Sequence, residues 1–304
     1  MDRLEAFSTF AAVAESGGFA TAARKLNRSP AAVTRTVAAL EASIHTQLFR
    51  RTTRVVTLTE AGARFLVDVR RILADVEEAT AAAAGDHAAL RGALVVTAPV
   101  MFGRLYVAPL VLAFLAEHPL ISAQALLVDR IVDLLEENVD VAVRIAPLID
   151  SSLRGTRVGW VRRMLCAAPS YLAAHSPLRA PADLVQHAVI AFAQGGPPRD
   201  WSFPRGKHRQ RVAVVPRFTT NSTEASVAAA VSGHGIIRVL SYQVADELRA
   251  GTLVPLLAGF EPAPLPIHVV HTGGRAAPAR VRAFVDCAVS RLRADARLAV
   301  GASR

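Results

Sequence analysis

Apolar residues follow three different spacings along this chain, and each predicts a different kind of structure. Up to Leu40 they recur every three or four residues between turn-forming residues, the signature of short amphipathic helices. Leu4, Phe7, Phe10 and Val13 make one stripe, which Asp2 can cap with Glu5 as its capping-box partner and which Ser16-Gly17-Gly18 ends. Phe19 joins the same small core. Ala22, Ala23 and Leu26 give a second helix a small-residue inner face that another helix can cross closely. Asn27 falls at the turn, where a left-handed backbone is needed. Ser29-Pro30 then starts a third helix, in which Val33, Val37 and Leu40 point inward. Residues 48–59 read as a two-stranded hairpin with Arg50, Arg51 and Arg54 at or near its tip.

The second spacing begins after Thr59, which can cap a long helix running to about Ala84. Phe65, Val69, Ile72, Val76, Ala79 and Ala83 are separated by 4, 3, 4, 3 and 4 residues. That heptad seam predicts a partner helix, with Phe65, Val69, Ile72 and Val76 as its dimerisation contacts. A helix lying on its own domain is the competing reading. Gly85-Asp86-His87 predicts a hinge.

The third spacing, from Leu94 onward, alternates strand-like and helix-like runs, which predicts α/β lobes with parallel strands. Strands are expected at Leu94–Thr97, Ile121–Val128, Val139–Ile145, Val158–Ala168, Val189–Phe192, Val212–Val215, Phe218–Asn221, Gly235–Val239 and Ile267–His271. A turn is expected from Pro99 to Gly103. Helices are expected over Leu105–Glu117, Ile131–Glu137, after Pro181, over Thr223–Val231 and over Arg280–Leu292, the last packing back on the first lobe.

The outer face of the third helix is short, polar and cationic, as a recognition helix in a DNA major groove must be. Ser29, Pro30, Ala31, Thr34 and Arg35 are the groove-facing candidates. Arg50, Arg51 and Arg54 are suited to gripping phosphates, although a charged sheet edge that blocks aggregation would look the same. With these pieces in place, residues 2–64 resemble the winged helix-turn-helix of the LysR-type transcriptional regulators. The resemblance rests on Leu4-x-x-Phe7, Phe19-x-x-Ala22-Ala23-x-x-Leu26, Ser29-Pro30-Ala31-Ala32-Val33-Thr34-Arg35, Ala39-Leu40-Glu41, Leu48-Phe49-x-Arg51-x-x-Arg54 and Leu58-Thr59-x-Ala61-Gly62. It continues nearly to the C-terminus. Asn27 replaces a frequent turn Gly, and Ala20 stands where a capping Ser or Thr is usual; both should cost a little stability.

The fold expected is thus an N-terminal winged helix-turn-helix, mainly α, plus an α/β effector domain of two lobes like the periplasmic binding proteins. The expected division is 1–59 for DNA binding, 60–91 for the dimerisation helix and hinge, and 92–304 for the effector domain. Its first lobe would take about 92–161 and 267–296, its second about 162–266. Ligands of open α/β sheets bind beyond the carboxyl ends of strands. Those ends, which also match cleft positions in similar regulators, offer Thr97, Ala98, Pro99, Asp129, Arg144, Ile145, Phe192, Asn221, Gly235 and Ile236 as effector contacts. Thr97 and Asn221 are equally suited to capping helices, and Arg144 to pairing with Asp129 or Asp140. The resemblance implies promoter DNA, a small-molecule effector, a homodimer or homotetramer and RNA polymerase as partners; an anionic or aromatic metabolite bound between the lobes is the effector expected.

Composition adds limits. The net charge is +10, but residues 1–60 carry eight Lys and Arg against five Asp and Glu, while 92–304 carry 23 against 15, so bulk charge does not locate a DNA site. The Arg-rich strip 199–217 reads as a solvated loop in which Trp201 and Phe203 are anchors. Two cysteines, Cys166 and Cys287, build no disulfide framework and read as buried, inert thiols of a reducing compartment. The N-terminus opens straight into an amphipathic helix, and no run of about 18 apolar residues is uninterrupted, so a cytoplasmic chain without a membrane span is expected. No Gly-x-Ser-x-Gly elbow, phosphate-binding loop, dinucleotide fingerprint or zinc spacing is found. His268 and His271 would face opposite sides of one strand and make a poor metal pair. Neither catalysis, cofactor nor metal is expected.

Overall fold

A computed structural model describes residues 2–51, 56–83, 90–148, 154–194, 196, 198, 200–206, 208–272 and 277–299, without the side chains of 51, 77–79, 81–83 and 154. Two compact units emerge: Met1–Leu94 with Leu115–Ala123 and Pro278–Arg280, and Val95–Phe114 with Gln124–Ala277 and Val281–Arg304.

In the first unit, α1 (Arg3–Ser16), α2 (Phe19–Lys25) and α3 (Pro30–Ser43) pack as expected from their caps. Asp2 accepts the Leu4 amide at 2.9 Å, and Gly17 takes the left-handed conformation at φ 64°. Glu5 completes no capping box; its carboxylate instead meets Arg28 at 2.6 Å, tying α1 to the turn before α3. Leu4 is exposed, and the buried side of α1 is Ala6, Thr9, Phe10, Ala11, Ala12 and Val13. Asn27 holds φ 50°, a conformation Asn tolerates better than most residues. The N-cap of α2 is Gly18, which places Ala20 inside the helix, so no cap is lost there.

The hairpin β1 (Phe49–Arg51) and β2 (Val56–Leu58) pairs antiparallel, Arg50 opposite Thr57. Its base is clamped from two sides. Glu41 of α3 accepts the amides of Leu48 (2.7 Å) and Phe49 (3.1 Å). Thr59 donates its amide to the Leu48 carbonyl at 2.9 Å, while its hydroxyl accepts the Gly62 amide at 2.9 Å and so caps α4 (Glu60–Ala83). A Cβ on Gly62 would lie 2.0 Å from the Leu48 oxygen, so only Gly allows this approach.

The seam of α4 needs correction. Val69 is fully buried and Phe65 packs its ring 5.6 Å from Phe7 and 5.4 Å from Phe10, so both belong to the core of their own domain. Those aromatic rings offer the apolar cover that the heptad pattern assigned to a second helix. Ile72 and Val76 lie outside that core, Val76 exposed. The hinge at Gly85-Asp86-His87 lies outside the described residues.

The second unit holds most of two five-stranded sheets. In the first, the order is β4 (Ile121–Leu127), β3 (Gly92–Ala98), β5 (Val141–Ile145), β14 (Leu265–His271) and β6 (Arg154–Val161). In the second it is β11 (Pro216–Thr220), β8 (Val189–Phe192), β12 (Ile236–Leu240), β7 (Arg163–Ala167) and β13 (Val254–Leu256). The sheets are mixed: β3 and β5 run parallel, as do β11, β8 and β12, whereas β14 and β7 run antiparallel to their neighbours. The predicted strand Val158–Ala168 is in fact two, β6 and β7, separated at Arg162 where the chain crosses between sheets. Arg162 and Ser241 exchange hydrogen bonds, and the Arg162 guanidinium meets Glu261 on the returning crossover at 3.3 Å.

Three further expectations fail. Pro99–Gly103 is not a turn: α5 (Val100–Phe102), a π-helical stretch Gly103–Val107 and α6 (Ala108–Glu117) form one helical run. That run is long and apolar enough to cross a membrane, but Phe102, Tyr106, Val107, Leu110, Val111 and Phe114 are buried, as in a core helix. The stretch 131–137 is not helical: 131–133 are irregular and 134–138 form turns, with Ile131 and Leu135 exposed. The supposed loop near Arg205 is a hairpin, β9 (Asp200–Arg205) with β10 (His208–Ala213), whose Trp201 and Phe203 are buried anchors as expected. Short helices α7 (Pro169–Ala173) and α9 (Ala245–Ala250) were not foreseen, while α8 (Thr223–Val231) and α10 (Ala279–Ala294) were. Phe114 meets Phe284 of α10 edge-on at 5.2 Å, which packs α10 on the first lobe. Cys166 is fully buried, and burial pushes its thiol up to about 12; Cys287 is only half-buried.

Two outcomes follow for stability and reactivity. Gly62→Ala drives a methyl into the Leu48 carbonyl and should cost about 1–3 kcal/mol in urea melts, since backbone must shift to make room. At pH 8 iodoacetamide should label Cys287 in the folded chain and Cys166 only after denaturation, because a thiol this far above its ordinary value carries little thiolate.

Candidate functional site

The cap of α3 sets its outer face. Ser29 accepts the Ala32 amide at 3.2 Å and Pro30 occupies the first turn, fixing where the helix begins. Val33, Val37 and Leu40 are buried, so the helix cannot rotate about its axis. Ser29, Pro30, Ala31 and Arg35 are left exposed, with Thr34 half-exposed beside them. Arg35 forms no ion pair among the described residues. Arg50 is exposed on the hairpin. The side chain of Arg51, and Arg54 altogether, lie outside the described residues. Sequence reading quoted Glu41 as part of a motif without seeing its role, which is to orient the hairpin from the helix end.

Six of the ten expected effector contacts surround one cavity of about 380 Å³ at the carboxyl ends of β3 and β5: Thr97, Ala98, Pro99, Asp129, Arg144 and Ile145. The polar groups there are largely engaged by protein. The Thr97 hydroxyl donates to the Leu126 carbonyl at 2.7 Å, so it caps no helix. Arg144 donates to the Val132 carbonyl at 2.6 Å and pairs with neither Asp129 nor Asp140. Asp129 accepts the Val100 amide at 3.0 Å, and Asp140 the Val95 amide at 2.7 Å.

Pro99, Asp129 and Ile145 also border a second cleft of about 540 Å³, which the other lobe closes with Phe192, Trp201, Thr223, Ser226, Arg163, Arg238, Tyr242 and Gln243. Contacts between the lobes frame it: Arg104 meets Glu224 at 2.7 Å, and the Phe102 and Tyr242 rings lie edge-on at 5.2 Å. Three expected contacts line neither cavity. Ile236 is fully buried in the second lobe's core, and Gly235 lies against the Ala188 carbonyl, which a Cβ would approach to 2.5 Å. Asn221 is exposed one residue before the true cap of α8, Ser222, which accepts the Ala225 amide. Arg163, Arg238 and Tyr242 were missed, because their adjacency depends on how β7 and β12 pair.

Comparison with known proteins agrees with both halves. Residues 4–63 match the model of the bacterial regulatory helix-turn-helix proteins of the lysR family, and residues 87–293 match the LysR substrate binding domain. The chain is 32% identical over 277 residues to the HTH-type transcriptional regulator PtxR of Pseudomonas aeruginosa, covering 91% of this chain and 89% of that one. It is 30% identical over 289 residues to the HTH-type transcriptional regulator CrgA of Neisseria meningitidis, covering 95% and 96%. The solved structure of CrgA superposes with a TM-score of 0.60 over 95% of this chain and 98% of that one. The full-length virulence activator AphB of Vibrio cholerae gives the same TM-score at 26% identity, covering 94% and 98%. A helix-turn-helix with an exposed cationic face, followed by two α/β lobes around a cleft, is therefore the architecture of a family: the chain belongs to the LysR-type transcriptional regulators.

Proposed function

We propose that residues 1–59 read duplex promoter DNA, that α4 joins two copies, and that the two lobes within 92–304 bind a small-molecule effector. The observation that carries the first part is the fixed outer face of α3. Ser29, Pro30, Ala31, Thr34 and Arg35 are offered to the major groove, and Arg50, Arg51 and Arg54 to phosphates of the adjoining backbone. One recognition helix reads too few base pairs for useful specificity, so two are brought together. The dimer contact centres on Ile72, Val76 and the helix beyond, since Val69 is buried at home and Phe65 half-buried against Phe7 and Phe10. Further contacts between effector domains build a tetramer, by analogy with similar regulators. The same analogy, and no observed surface, includes RNA polymerase among the partners and puts the protein in the cytoplasm. Effector binding changes the angle between lobes, which a ligand accomplishes only by favouring one arrangement over the other, for a typical coupling of about 1–3 kcal/mol.

Quantitative footprinting on the promoter checks the DNA reading. Arg35→Ala should cost about 1–3 kcal/mol and blur sequence preference, whereas Arg50→Ala should weaken all sequences alike and flatten the salt dependence. A chain lacking residues 1–60 that still bound the promoter as tightly would end the proposal.

Assembly has its own measurement. Ile72→Asp with Val76→Asp buries two unpaired charges in any dimer seam, so sedimentation should show monomers while the melt of the DNA-binding unit stays in place. An unchanged mass would refute α4 as the dimer contact.

A further inference from the structure

Two arginines on the second lobe have no hydrogen-bond acceptor or counterion among the described residues. Arg163 on β7 stands opposite Leu240, and Arg238 on β12 opposite Leu165, so both side chains leave the same face of the sheet as diagonal neighbours. Both line the 540 Å³ cleft. Neither makes an ion pair or side-chain hydrogen bond among the described residues. The Arg238 guanidinium lies near aromatic surface, 5.8 Å from the Trp201 ring centre and 6.0 Å from that of Phe203. Burial drives Arg238 down to about 10, the charge of Arg163 adding to the effect, and burial moves Arg163 in the same direction. The acids on the cleft do not relieve them: Asp129 is engaged by the Val100 amide, and Asp200 is exposed at the rim. Two half-buried like charges without a counterion among the described residues are costly to keep, and the fork of a guanidinium matches the paired oxygens of a carboxylate, as it does those of a phosphate.

We infer that the effector is a small organic acid whose carboxylate groups dock between Arg163 and Arg238. This rests on the reading of the lobes as an effector domain. It names the chemistry of the ligand and moves its anchor from Arg144 to the second lobe. Arg144 already commits one donor to the Val132 carbonyl, whereas Arg163 and Arg238 make no side-chain hydrogen bond among the described residues and have every donor to give. A cleft of this volume admits one small molecule, with Thr223, Ser226 and Gln243 at hand for its remaining polar groups.

The test is calorimetric titration and thermal melting of the full chain with succinate, glutarate, benzoate and phthalate at millimolar concentration, each beside its neutral amide. At least one acid should bind and raise Tm while its amide does not. Arg163→Met and Arg238→Met should each weaken that binding by about tenfold or more, with Arg238→Lys intermediate and the exposed Arg209→Met unchanged. Without ligand, the two Met variants should melt no lower than the parent, since each removes one of two repelling charges. Acid binding that survives in both Met variants overturns the assignment of these residues. Amides binding as well as acids overturn the acid class and leave the effector cleft standing. If neither acids nor amides bind, both readings fall together.

Discussion

The DNA-reading unit depends on the peptide groups of Leu48. Its amide is taken by Glu41 at the end of the recognition helix, and its carbonyl by the amide of Thr59 at the start of the long helix. A two-stranded hairpin of three residues a side is too small to be stable alone. It persists here because its base is bonded to a carboxylate on one flank and to a helix cap on the other, over a floor of Phe10, Phe19 and Phe49. The approach is so close that Gly62 admits no side chain. Helix, hairpin and long helix consequently share one orientation.

The DNA unit was legible in the sequence because its signals are local. A Ser-Pro start, an Asn at the left-handed turn and buried residues three or four apart declare themselves within a few positions. What was misread there involved a choice among distant partners. Phe65 and Val69 satisfy a heptad pattern and equally satisfy a fit against Phe7 and Phe10, and spacing alone does not distinguish a second helix from the helix's own domain. In the lobes, strand positions were largely readable, while the break at Arg162 and the hairpin β9–β10 were not. Apolar continuity hid the first, and a density of arginines disguised the second as a loop.

The candidate cleft was half legible for the same reason. Rules about strand ends found Pro99, Asp129, Ile145 and Phe192, because the end of a strand is visible in the sequence. They also nominated Ile236 and Gly235, which sit at the start of a strand whose face is covered by core. Arg163 and Arg238 are far apart along the chain and become neighbours only through antiparallel register. A charged residue inside an apolar run was the available sign, since burying a guanidinium without a partner is expensive enough to call for a reason.

The crossover at Arg162 sets the mechanics of the lobes. With a single residue between β6 and β7, the chain has only two soft torsions there, and Ser241 holds the peptide groups on either side of them. The returning segment 257–264 is stiffened by Pro262 and Pro264 and tethered through Glu261. The lobes are therefore joined by two short, tethered leaves, which leave no slack with which to slide past one another or draw apart.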